Sequence, residues 1–283
     1  MSAWKETSEG VFTRRFEPVN ITVTAVLGGE GVLVADTRCS VQEGRELRAE
    51  LAALTPLPVR WVVNTHTHFD HMWGNAAFDR PEQEPPAEFW GHRNMPDFDP
   101  EDPGFLELRD MILREGGPEW REKMDTLVVR KPDHLVTASH ALDLGGRIIE
   151  LMHLGRGHTD NDLVLWLPDA DVLIGGDLVE QSGPVAYGTD SFPLDWPATL
   201  AALAALTTEH TTYVPGHGDP SDRGFLKETE EFVTAVAEQI RTLHADGVPA
   251  EQALDRGSWP IEDSSHFAKA VARGYAQLSG ELP

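Results

Sequence analysis

The chain has 283 residues, 40% of them hydrophobic, which suffices for one large domain or two small ones around a substantial core. Its 47 acidic and 23 basic residues give a formal net charge of -24, which would repel phosphate backbones and anionic lipid, so we expect neither nucleic acid nor a membrane as a partner. The single cysteine excludes an intrachain disulfide and a sulfur-rich zinc site.

The first ten residues lack a basic segment followed by an apolar one, which is the pattern of a secretory signal. No later run reaches the roughly 18 apolar residues that a membrane span needs. These two features predict a cytoplasmic protein. We expect a small molecule as its partner, while nothing in the sequence indicates the oligomeric state.

The first predicted elements lead to a cluster of histidines. Alternating apolar residues predict a β-hairpin over residues 19–36, and helical spacing predicts a helix over residues 41–54 that stops before two prolines. Residues 59–63 have the pattern of a buried strand. The sequence therefore predicts a β-α-β unit that ends just before His66.

Residues 79–131 interrupt this regular pattern. Several prolines punctuate the segment, and only residues 106–114 and 119–127 have helical spacing. Loops of this length in compact domains are usually functional or disordered. We therefore interpret the segment as a long insertion that could cap a site.

The second half of the chain predicts another sheet, followed by helices after residue 222. Asp195 is the expected N-cap of a helix through residue 206. Short strands are predicted at residues 141–142, 147–153, 162–167, 172–174 and 213–214. The later helices are predicted from just after residue 222 to about 247, over residues 249–254 and over residues 265–278.

Four potential metal ligands stand within six residues, directly after the predicted strand: His66, His68, Asp70 and His71. A loop leaving a strand can turn all four side chains to one side, and Gly74 permits a tight exit from it. Imidazole and carboxylate suit zinc, iron or manganese, so these residue types select a class of metals rather than one ion.

Three further polar residues adjoin glycine where predicted strands meet loops: His158, Asp177 and His217. Each alone is an ordinary turn residue, since Gly-Asp and Gly-His are common loop dipeptides. Together with the first cluster they give the order His-x-His-x-Asp-His, Gly-His-Thr, Gly-Asp and Pro-Gly-His. This order resembles the metallo-β-lactamase superfamily over about residues 20–218.

The resemblance implies an α+β fold of four layers, an αβ/βα sandwich in which helices flank two mixed β-sheets. It implies a single domain over residues 1–283, with an inserted segment at about 79–131 and a C-terminal helical extension at about 222–283. It further implies a division of the seven ligands between two ions. His66, His68 and His158 would hold one ion, Asp70, His71 and His217 would hold the other, and Asp177 would bridge them. Asp36 matches an early aspartate of the family that braces the metal loop without binding an ion.

The function implied by the resemblance is that of a dinuclear metal-dependent hydrolase with two zinc ions per chain, although iron and manganese also suit the ligands. Two neighbouring ions supply a bridging hydroxide as the nucleophile, and Asp70 is the expected catalytic residue that orients it or accepts its proton. Members of the family that chiefly open β-lactams usually carry cysteine or serine at the position of Asp177. We therefore expect a small ester, thioester or lactone as substrate.

Several alternatives stay open. The same scaffold serves hydrolases of β-lactams and phosphodiesters, iron-dependent redox enzymes such as persulfide dioxygenases, and non-catalytic proteins with a vestigial site. Tyr187 lies ten residues past Asp177. Because lactonases of this superfamily place a tyrosine in a comparable stretch, Tyr187 is a candidate for substrate binding, although packing of a loop is the more common role of such a residue.

Overall fold

The computed structural model describes residues 3–96, 103–115 and 118–282. The chain divides into two compact units. Unit 1 comprises Met1–Thr137 and Leu142–Ile148, and unit 2 comprises Ala138–Ala141 and Ile149–Pro283. The assignment of all residues to one domain stays a prediction.

Unit 1 contains a mixed β-sheet. Its strands lie in the order β7-β6-β5-β4-β3-β2-β1, antiparallel from β1 to β4 and parallel from β4 to β7. The strands are β1 (Lys5–Ser8), β2 (Val11–Phe16), β3 (Ile21–Leu27), β4 (Val32–Ala35), β5 (Val59–Val63), β6 (Glu88–His92) and β7 (His134–Val136). The helices are α1 (Val41–Leu54), α2 (Phe69–Met72), α3 (Pro103–Glu115) and α4 (Pro118–Asp125), with a 3₁₀ turn at Asn75–Ala77.

Helix α1 covers one face of this sheet, within the bounds that the sequence predicts. Ser40 caps its start by accepting a hydrogen bond from the Glu43 backbone N–H at 3.2 Å, and the chain leaves the helix before Pro56. Leu47 and Leu51 are buried among the core side chains of the sheet. Burial of each such leucine stabilises the fold by about 1.5–3 kcal/mol, which holds α1, the connection from β4 to β5, against the face of the sheet.

The structure differs from the predicted elements of unit 1 at two places. The strands β1 and β2, which precede the first predicted strand, were not predicted. Charged residues such as Arg14 and Arg15 conceal the alternation of apolar residues in β2. The interval 79–131 contains β6, which pairs in parallel with both β5 and β7, so this part of the expected insertion belongs to the sheet. Its two predicted helices are confirmed as α3 and α4, while residues 97–102 and 116–117 lie outside the described residues.

Unit 2 contains a second set of strands in the order β12-β11-β10-β9-β8, with β11 and β12 parallel and β9 to β11 antiparallel. They are β8 (Ser139–Asp143), β9 (Ile148–Met152), β10 (Val164–Leu167), β11 (Val172–Glu180) and β12 (Thr212–His217). The division counts the last two residues of β8 and the first of β9 in unit 1. The helices are α5 (Trp196–Leu206), α6 (Arg223–Ala245), α7 (Ala250–Arg256) and α8 (Ala268–Leu278), preceded by a 3₁₀ turn at Ser264–Phe267.

The helices of unit 2 agree with the predicted ones, but one cap works differently. Asp222 caps α6 by accepting from the Phe225 N–H at 3.1 Å. Asp195 stands at the N-cap position of α5, yet its side chain makes no capping hydrogen bond and pairs with Arg156 at 2.7 Å instead. An ion pair thus replaces the predicted cap. No helix in the described part of the chain is long and apolar enough to cross a membrane.

Candidate metal centre

The four predicted ligands of unit 1 converge at the end of β5. His68 occupies the N-cap position of α2, so Asp70 and His71 lie on a single helical turn rather than on the expected loop. The ring centroids of His66 and His68 are 4.6 Å apart, and those of His66 and His71 are 4.1 Å apart. Nε2 of His71 is 3.6 Å from a carboxylate oxygen of Asp70. A cap followed by one turn therefore gathers all four side chains.

Asp36 contacts this ligand loop from the end of β4. Its carboxylate accepts hydrogen bonds from the Thr65 backbone N–H, the Thr65 hydroxyl and Nδ1 of His71, each at 2.8 Å. The backbone of Asp36 has a φ of 66°, in the left-handed region that costs most residues energy. This strained conformation aims a buried carboxylate at the loop.

These contacts fix which ring nitrogen of two histidines carries the proton. Nδ1 of His71 donates to Asp36, which can only accept, so Nε2 of His71 presents a lone pair. The Thr65 hydroxyl gives its proton to Asp36 and therefore accepts from Nδ1 of His66, 3.1 Å away. Both imidazoles consequently present Nε2 as an electron-pair donor, the form that binds a metal ion.

Gly74 is needed because the backbone of Thr37 lies very close to it, and not because the chain adopts an unusual turn there. Its φ of -81° is open to any residue. A Cβ at this position would lie 1.9 Å from the carbonyl oxygen of Thr37, far inside contact distance. The glycine thus lets the chain after α2 pass directly against Thr37.

The three predicted ligands of unit 2 meet at Asp177. One oxygen of its carboxylate lies 3.4 Å from Nε2 of His158 and 3.4 Å from Nε2 of His217. Asp177 belongs to β11 and His217 ends the neighbouring parallel strand β12, while His158 lies on the loop before β10. Nδ1 of His158 donates to the Ala186 carbonyl at 3.1 Å, so its Nε2 also presents a lone pair.

Gly216 makes room for the Asp177 carboxylate. A Cβ on Gly216 would stand 1.9 Å from Oδ1 of Asp177 and 2.9 Å from the Gly176 carbonyl carbon. The glycine of the Pro-Gly-His motif therefore has a steric purpose that its sequence neighbours do not reveal.

Hydrogen bonds also hold the backbone around His158, and the sequence reasoning missed the residues that make them. The hydroxyl of Ser191, which is fully buried, donates to the His158 carbonyl at 2.7 Å. The Asp162 carboxylate accepts from the Thr159 hydroxyl at 2.6 Å and from the Thr159 N–H at 3.0 Å. The spacing from Thr159 to Asp162 is a recognisable turn signal. Ser191 carries no such signal, because it lies far along the chain from His158.

Glu180 lies three residues beyond Asp177, at the end of β11. Burial, followed by the nearby Asp177 carboxylate, raises the pKa of Glu180 to about 7. Its Oε2 accepts from the Ala186 N–H at 3.1 Å, so it supports the same loop that holds His158. A bound divalent cation at Asp177 would favour the ionised form of Glu180.

Tyr187 is 5% exposed and packs against Trp196, with ring centroids 5.4 Å apart, and against Phe267 at 6.4 Å. Burial raises the pKa of its hydroxyl. Among the described residues this hydroxyl has no hydrogen-bond partner. Tyr187 thus contributes to the core of unit 2, and its predicted substrate contact stays a prediction.

The donors in each unit fit divalent metal ions. Unit 1 offers imidazole Nε2 atoms and the Asp70 carboxylate, and unit 2 offers two imidazoles around the Asp177 carboxylate. His158 and His71 each give their other ring nitrogen to a carbonyl or carboxylate, the arrangement that accompanies metal-binding histidines. Nitrogen and oxygen donors without sulfur suit zinc, iron or manganese.

The sequence matches a known protein family and parts of several characterised proteins. The sequence profile of a family described as "Metallo-beta-lactamase superfamily" matches residues 14–217. A "Metallo-beta-lactamase type 2" of Bacteroides fragilis is 30% identical over 109 residues, covering 38% of this chain and 44% of that protein. A "Linear primary-alkylsulfatase" of Pseudomonas is 26% identical over 262 residues, covering 82% of this chain and 47% of that protein. The chain spans less than half the length of these two relatives.

Two solved structures resemble this chain along most of its length. A metallo-β-lactamase from Pontibacter korlensis has a TM-score of 0.61 at 20% identity, covering 82% of this chain and 98% of that one. The metallo-β-lactamase FIM-1 from Pseudomonas aeruginosa, in a mono-zinc form, has a TM-score of 0.61 at 19% identity, covering 83% and 96%. At such identities the likeness shows the fold alone. It confirms the predicted fold class, with a mixed sheet and flanking helices.

Proposed function

Since the chain belongs to the metallo-β-lactamase superfamily, we propose that it is a metal-dependent hydrolase with a dinuclear centre. Two groups of donors support this. His66, His68, His158 and Asp177 could hold one ion, and Asp70, His71 and His217 could hold the other. Asp177 would bridge the two ions. Zinc is the first metal to test, because the FIM-1 structure is a mono-zinc form.

The substrate that we propose is a small ester, thioester or lactone. The observation that carries this proposal is the Asp177 carboxylate, which lies 3.4 Å from Nε2 of both His158 and His217. Bound divalent ions would supply an activated water and polarise the substrate oxygen. Asp70, 7% exposed and next to His71, would orient that water and accept its proton. No serine or cysteine nucleophile is required.

A sulfate ester is a second candidate. The relative named linear primary-alkylsulfatase covers 82% of this chain, a larger share than the lactamase of Bacteroides fragilis covers.

The negative net charge disfavours a polynucleotide substrate, as a long polyanion would meet repulsion over most of the surface.

Two measurements test the proposal. Protein purified without chelator should contain close to two transition-metal ions per chain, and a saturating content of one ion contradicts the dinuclear centre. The zinc-loaded protein should then be assayed on an ester, a thioester, a lactone, an alkyl sulfate, a β-lactam and a phosphodiester at matched pH and salt. We expect the highest kcat/KM on a carboxylic ester, thioester or lactone. A preference for the alkyl sulfate would favour the second candidate. A preference for the β-lactam or the phosphodiester would refute both substrate classes and leave the ligand set standing.

A further inference from the structure

A buried pair of asparagine side chains lies against the ligand loop of unit 1, and the proposed reaction does not use it. Asn64 follows β5, and Asn75 begins the 3₁₀ turn after α2. Both are fully buried. Nδ2 of Asn75 donates to Oδ1 of Asn64 at 2.7 Å, and Nδ2 of Asn64 donates back to Oδ1 of Asn75 at 3.1 Å.

The surroundings fix the orientation of both amides. The carbonyl of Arg130 can only accept, so it must face Nδ2 of Asn75, which donates to it at 2.9 Å. The Thr37 hydroxyl donates to Oδ1 of Asn75 at 2.8 Å. If Asn75 turned over, its Oδ1 would face the Arg130 carbonyl, which has no proton to donate, so this carbonyl fixes the orientation of Asn75 and thereby that of Asn64.

The result is a hydrogen bond aimed at a candidate metal ligand. The second N–H of the Asn64 amide donates to the carbonyl oxygen of His71 at 3.1 Å, beside the Thr37 backbone N–H, which donates to it at 2.8 Å. The ring of the same histidine is held by Asp36. His71 is therefore held both at its backbone and at its imidazole.

We propose that Asn64 and Asn75 are positioning residues for the metal ion bound at His71. Asn64 holds the turn of α2 that carries the imidazole, and Asn75 keeps the Asn64 amide the right way round. The inference rests on the proposed function, since it requires that His71 bind an ion.

The test is a Co²⁺ titration of the metal-free protein, with visible absorption spectra and chelator competition resolving each equivalent. Asn64→Ala removes the donor without burying a charge. It should weaken the second equivalent about tenfold to a hundredfold and change its spectrum, since partners of metal ligands contribute about that much to affinity. The first equivalent should keep its wild-type affinity. Asn75→Ala, which leaves the bond to His71 in place but frees the Asn64 amide to turn, should have a smaller effect in the same direction.

Thr211→Val is the matched control, because it removes a buried hydroxyl that donates to Asp171 at 2.5 Å in unit 2. It should leave both equivalents unchanged. Folded Asn64→Ala that binds two ions with wild-type affinities and spectra overturns the positioning role. If Asn64→Ala does not fold, the positioning role is overturned instead by an Asn75→Ala variant that binds both ions with wild-type affinities and spectra. A wild-type chain that binds fewer than two ions overturns the proposed function itself, which is a separate result.

Discussion

Replacing Gly216 with alanine should displace the Asp177 carboxylate. The substitution should therefore impair the candidate metal centre although Gly216 itself binds no ion. The new Cβ would stand 1.9 Å from Oδ1 of Asp177, whereas real Cβ atoms essentially never approach within 3.0 Å. The carboxylate or the Gly216 backbone must therefore move by about 1.1 Å. Displacements of about 1 Å at a reacting centre can lower turnover about a hundredfold, and we expect a loss of that size.

The assay compares kcat/KM and metal content of zinc-loaded Gly216→Ala with those of the wild type, on the best substrate of the panel. Overpacking alone should lower the free energy of unfolding by about 1–3 kcal/mol, so chemical denaturation shows whether the variant is still folded. Gly183→Ala is the matched control, since a Cβ there would meet nothing within 4 Å. Native turnover and two bound ions in folded Gly216→Ala would refute the argument that Asp177 requires this space.

Three further substitutions test other parts of the description. Asp36→Asn removes a charged acceptor from His71 and should weaken one metal equivalent about tenfold to a hundredfold in a chelator competition, whereas Asp171→Asn, at another positive φ, should not. Asp70→Asn should lower kcat by orders of magnitude while the ion at the other donor group stays bound; near-native turnover would contradict its role as proton acceptor. A hydrogen bond from the Arg130 guanidinium lowers the pKa of Asp133, so this pair stabilises the fold above the usual carboxyl range and stops doing so as the pH falls through the lowered pKa. Asp133→Asn should accordingly lower the free energy of unfolding by less than about 1 kcal/mol at about pH 7, and this loss should shrink when denaturant titrations are repeated at successively lower pH below the usual carboxyl range.

How far the sequence predicts this protein depends on whether the signal is local. Helix α1 was predictable to its bounds, because a capping serine precedes it and a proline follows. The strand β6 was not, because Glu88–His92 contains glycine and charged or polar residues and follows a run of prolines, so its pairing with two neighbours decides its conformation.

The candidate site divides in the same way. The seven ligands stand in short motifs that the sequence displays directly, whereas their supports do not. Asn64 and Ser191 are ordinary polar residues in the sequence, and their importance comes from hydrogen bonds to distant or backbone atoms. Gly216 is needed because its backbone lies against Oδ1 of Asp177 on the neighbouring strand, and the motif Pro-Gly-His alone gives no sign of this contact.

The hydrogen bonds around the His66–His71 loop also join residues that are synthesised at different times. Asp36 reaches the loop from 35 residues before His71, and the Arg130 carbonyl accepts from Asn75 across 55 residues. During synthesis the chain emerges at about 5–20 residues per second, so the four candidate ligands of unit 1 leave the ribosome several seconds before Arg130 does. In that interval the histidines are exposed without the last of the contacts that orient them. Metal binding by the four ligands of unit 1 should consequently tighten once residue 130 has emerged. A ribosome-stalled chain ending before it should bind Co²⁺ more weakly than one extended past unit 1.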